Sequence, residues 1–124
     1  MRMLLSLPAL LLLTGAALAQ GEAMGTAEAT ALLDTACRAS EQMAAMLGAT
    51  GADPATAREA MCGCLVEVLG PQITFADAEM LAAELSGTLT DEARAGYADT
   101  ERLGEVAEAG FGQCQERTGY LTTD

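Results

Sequence analysis

The chain has 124 residues, a formal net charge of −12, and no Lys, His, Asn or Trp. That charge repels nucleic acid and anionic lipid surfaces. The lack of His excludes imidazole acid–base chemistry, His-activated nucleophiles, imidazole metal ligation and haem attachment through Cys-x-x-Cys-His. Lys and Asn codons are A+T-rich, so their absence fits a G+C-rich bacterial genome.

Residues 1–19 read as a cleavable secretory signal peptide. Arg2 precedes an apolar run from Leu4 to Ala17, and Ala17-Leu18-Ala19 supplies a small-x-small cleavage site before Gln20. The run is shorter than the ~20 residues a membrane span needs and contains Pro8. Cleavage between Ala19 and Gln20 would leave residues 20–124 as one domain, with five Arg against 18 Asp and Glu. Residues 20–25 are expected to form a loose amino terminus.

The first helix is expected over 27–47. Thr26 is its N-cap, and Leu32, Leu33, Ala36, Met43, Ala44 and Leu47 form its apolar face. Asp34 and Arg38 make an i,i+4 pair on the opposite face, and Gly48 ends the helix. The second helix starts at Asp53-Pro54, a capping residue followed by proline at the first helical position. It runs to Leu69 and stops at Gly70-Pro71. The third begins after Thr74, where Thr74-Phe75-Ala76-Asp77 has capping-box spacing. Its apolar positions are Phe75, Ala78, Leu81, Ala82 and Leu85, and Gly87 ends it. The fourth begins after Thr90 and extends to Arg117, with Gly104 as the expected place for a break that would make five helices. The fold class is therefore all-α, a small four- or five-helix bundle.

Met61-Cys62-Gly63-Cys64 lies in the second helix. With ~100° per residue and Met61 at 0°, Cys62 falls near 100° and Cys64 near 300°, on opposite borders of the apolar stripe. A bond between them would require unwinding. Each is expected instead to reach a different helix, with Cys37 and Cys114 as partners. Two pairings remain. Cys37–Cys64 with Cys62–Cys114 is preferred, and Cys37–Cys62 with Cys64–Cys114 is the alternative. In an oxidising compartment such bridges are staples, worth about 3–4 kcal/mol each for loops of tens of residues.

These features describe a periplasmic or secreted, non-catalytic protein that binds, scaffolds or chaperones another envelope or secreted protein. No cofactor or metal is called for, and no stable membrane insertion is expected after cleavage. Two competing functions use the same residues. One is thiol–disulfide exchange at Cys62-Gly63-Cys64, although Glu59 and Glu67 are poor neighbours for a reactive thiolate. The other is Cu(I) binding by these cysteines with Met43, Met46, Met61 and Met80. Ser40 and Ser86 have no histidine to activate them, and no spacing singles out a catalytic carboxylate pair.

Overall fold

The structure, a computed structural model, describes residues 23–120. The expected signal peptide, its Ala19/Gln20 cleavage site and the end of the chain from Leu121 lie outside the described residues. Among the described residues six α-helices follow one another: α1 Ala27–Arg38, α2 Glu41–Gly48, α3 Pro54–Leu69, α4 Phe75–Ser86, α5 Asp91–Gly96 and α6 Thr100–Thr118. A 3-10 turn over Gly70–Gln72 joins α3 to α4. No helix among the described residues is long and apolar enough to cross a membrane.

Local chemistry sets most of the starts. The Thr26 side chain accepts from the Ala29 N–H at 3.1 Å, and Asp53 accepts from the Thr56 N–H at 3.1 Å ahead of Pro54. Thr90 caps α5 in the same way. At α4 the capping box is complete. The Asp77 N–H donates to Thr74 Oγ1, and the Thr74 N–H donates to Asp77 Oδ2 at 2.9 Å. Gly87 closes α4 at φ 76°, a left-handed position suited to glycine.

The first expected helix is broken in two at Ala39–Ser40. Ser40 adopts an extended backbone and caps α2 through Met43 N–H. Its hydroxyl also donates to the Leu85 carbonyl at 2.6 Å, and its own carbonyl accepts from Arg58 at 3.2 Å. These bonds to α4 and α3 hold an elbow that a continuous helix could not form.

The fourth expected helix is also divided, but at Tyr97–Asp99 rather than Gly104, which lies inside α6. Tyr97 leaves α5 in an extended conformation, and Thr100 Oγ1 donates to the Arg94 and Tyr97 carbonyls exposed by that exit. The amino terminus is not wholly loose either. Met24 forms an isolated antiparallel bridge with Thr74, and the Gly25 N–H donates to the Ile73 carbonyl at 2.9 Å.

Helix α3 is central and packs against α1, α2 and α6, while α4 packs across α1 and α2. The core joins Leu33, Leu47, Met61 and Ile73 to the fully buried Ala29, Ala57 and Ala78. Phe75, expected on the apolar face of α4, is 41% exposed. It occupies the first turn, and Ile73 enters the core ahead of it. With Ala78, Ile73 holds the positions of a hydrophobic staple about the Thr74 cap.

Helix α6 approaches α3 closely at Gly110. A Cβ placed there would lie 2.5 Å from Leu69 Cδ2 and 3.5 Å from Val68 Cγ1 of α3. The carboxyl-terminal half of α6 is thus pressed onto α3. Its amino-terminal half is tied to α4 through polar groups.

Candidate functional site

The two bridges are Cys37–Cys62 and Cys64–Cys114, each with a Cα–Cα distance of 5.7 Å. Cys62 and Cys64 therefore point to different helices. The partners correct the preferred pairing of Cys37 with Cys64 and Cys62 with Cys114. Arg58, Glu59 and Cys62 share the flank of α3 that meets the α1–α2 elbow, where Arg58 reaches Ser40 and Glu59 reaches Arg38. Cys64, Glu67 and Val68 share the opposite flank, where Glu67 meets Arg117 of α6. The side of α3 chosen by each neighbour fixes the pairing, and composition carries no information about that choice.

All four sulfurs are consumed, and Cys37, Cys62 and Cys114 are fully buried. The Cys62-Gly63-Cys64 segment is continuous helix, with open space around Gly63. The four methionines do not converge on the cysteines as a set. Met61 is fully buried in the core, the buried Met43 and the exposed Met46 line one cleft, and Met80 lines another.

Asp77 is the one fully buried charged side chain among the described residues, and its carboxylate receives four contacts from three groups. Arg102 Nη2 lies 2.7 Å from Oδ1 and 2.6 Å from Oδ2, the Tyr97 hydroxyl donates to Oδ1, and the Thr74 N–H donates to Oδ2. Burial pushes the carboxyl upward. The bonds from Arg102, Tyr97 and Thr74, with the Arg102 charge, overcome it and hold the group below the usual carboxylate range. Burial and the bond to Asp77 raise the Tyr97 hydroxyl to about 12. Both carboxylate oxygens are engaged, so this cluster is a pin joining α4 to α6. The Thr-x-x-Asp spacing revealed the cap; nothing local revealed Arg102 or Tyr97 as partners.

Between the pin and the Gly110 contact, α6 stands away from α4. The gap is a cleft of about 470 Å³. Leu33, Leu65 and Leu69 line it from α1 and α3, and Leu81, Leu85 and Phe111 line it from α4 and α6. Met43 and Met46 line its α2 side. A smaller cleft of about 230 Å³ continues past Leu81, Glu84, Gly104 and Ala107, which line both. Gly104 and Ala107 carry little or no side chain on this face of α6, and so leave the gap open. Leu33, Leu65, Leu69 and Leu81 form the buried floor of the trough and belong to the core, while Leu85 and Phe111 are partly exposed and Met46 is 43% exposed at its rim. Chemically, the cleft offers apolar surface with carboxylates beside it.

No protein-family model, curated protein or solved structure matches the chain.

Proposed function

We propose that this is a small, acidic, exported bacterial protein whose role is non-catalytic: it binds another envelope or secreted protein through the cleft between α4 and α6, as a scaffold or chaperone-like partner. The observation that carries this reading is the 470 Å³ apolar cleft itself, which lies within the usual range for ligand-sized sites. The exposed Met46 and the partly exposed Leu85 and Phe111 at its rim gain from being covered, at about 25 cal/mol per Å² of apolar surface removed from water. The other chemically distinctive groups are occupied internally. The sulfurs are bridged and the Asp77 carboxylate is engaged at both oxygens. Two disulfides suit an oxidising compartment outside the cytoplasm.

A photoreactive amino acid at Met46, which lines the cleft and is 43% exposed, tests the reading in cells of the encoding organism. A control carries the same group at the exposed Glu28. A discrete covalent adduct from position 46 and none from position 28 is expected. Equal adducts from both, or none from position 46, would overturn the proposal.

A further inference from the structure

We infer that the occupant of the cleft is a basic amphipathic helix presented by the protein partner. This rests on the cleft being the partner-binding site, and three observations carry it further.

The first is shape. The larger and smaller cavities run together along the gap between α4 and α6. Their combined room is ample for the set of apolar side chains a helix presents at i, i+3, i+4 and i+7.

The second is polarity. Few polar groups line the larger cavity, and the Ser40 hydroxyl already donates to Leu85. An extended segment would bring its backbone N–H and C=O groups into this apolar trough without partners, whereas a helix satisfies its own. The methionines at the α2 side suit a helix further, because flexible thioethers repack around varied side chains.

The third is charge. Glu84 of α4 and Glu108 of α6 line the two sides of the cleft, and neither forms an ion pair among the described residues. No Arg lines the larger cavity, Arg94 lines only the far part of the smaller one, and the chain as a whole is at −12. Lys or Arg on both sides of an apolar stripe would meet these carboxylates. A second copy of this acidic chain would not.

The test uses labelled synthetic helices with one common leucine face and Lys, Gln or Glu on the polar face, titrated by fluorescence anisotropy. The Lys helix is expected to bind the disulfide-intact protein most tightly. Glu84→Gln with Glu108→Gln should weaken it about fivefold, while the exposed pair Glu79→Gln with Glu116→Gln should change it by under about twofold. Ala107→Trp, which fills the cleft, should abolish binding. Equal binding of the Gln or Glu helix would overturn the inference. So would Lys-helix binding that ignores Ala107→Trp or responds alike to both glutamate pairs, since that is attraction to net charge alone. If no helix binds while the Met46 adduct forms, the helix inference fails and the cleft reading stands. Loss of that adduct removes both.

Discussion

Replacing Arg102 with Met removes the guanidinium from a carboxylate that has no access to solvent. Asp77 would keep the Tyr97 hydroxyl and the Thr74 N–H but lose both bonds to Arg102. Stripping one partner from a buried pair costs about 3–5 kcal/mol. The Arg102 side chain is 33% exposed, so water can reach the vacated side and the cost falls near the lower end, about 3 kcal/mol. Asp77→Asn should cost a similar amount. The double variant should be less destabilised than the sum of the two by about 2 kcal/mol, because the charge that needed its partner is gone. Urea unfolding followed by circular dichroism, with disulfides intact, measures all three.

The acid dependence of the same variants is a stricter test. In the parent protein the depressed Asp77 pKa contributes stability above the ordinary carboxylate value, lost as pH falls through the lower folded value. Without Arg102, burial is opposed only by the Tyr97 and Thr74 bonds, so the folded pKa rises from its value in the parent and less stability is lost as pH falls. The deficit of Arg102→Met relative to parent should therefore shrink from neutral to acidic pH. A deficit below about 0.5 kcal/mol at pH 7, or one that grows in acid, would refute the view of Asp77 and Arg102 as a buried pin.

Other consequences follow from single contacts. Gly110→Ala should destabilise by roughly 1–2 kcal/mol despite its better helix propensity, because the new Cβ meets buried Leu69. Gly63→Ala, with nothing within 4 Å of its Cβ, should stabilise by up to about 1 kcal/mol; urea midpoints distinguish the two. Replacing Cys64 and Cys114 together by Ala should cost about 4 kcal/mol, and the Cys37 and Cys62 pair about 3.5 kcal/mol, reflecting sequence separations of 50 and 25. Ultraviolet titration should show a tyrosine ionising at about 12 that disappears in Tyr97→Phe. A midpoint for Tyr97 at the ordinary value near 10 would mean its hydroxyl is not held on Asp77.

Interactions within three or four residues were legible in the sequence. Thr26, Asp53-Pro54, Thr74 with Asp77 and Thr90 each cap the helix they announce. The divergence of Cys62 and Cys64 also follows from helical geometry alone. The departures share one physical origin, a partner distant in the chain. Ser40 breaks a periodic apolar stripe because its hydroxyl and carbonyl answer to Leu85 and Arg58. Tyr97 leaves its helix for a carboxylate twenty residues earlier. Gly104 looked the weakest point of the last helix by propensity, yet the turn formed where tertiary bonds rewarded it. The cleft was hidden for the same reason. Periodicity identifies an apolar face, but only the placement of α6 decides whether that face is covered.

That placement depends on α6 being bolted to the Cys64 flank of α3 while α1 is bolted to the Cys62 flank. Counting free thiols by alkylation and intact mass in two double variants tests it directly. Cys37→Ala with Cys62→Ala removes both ends of one bridge and should leave no free thiol. Cys37→Ala with Cys64→Ala breaks both bridges and should leave two, on Cys62 and Cys114. The reverse outcome, two free thiols in the first variant and none in the second, would place α6 on the other side of α3 and dissolve the cleft described above.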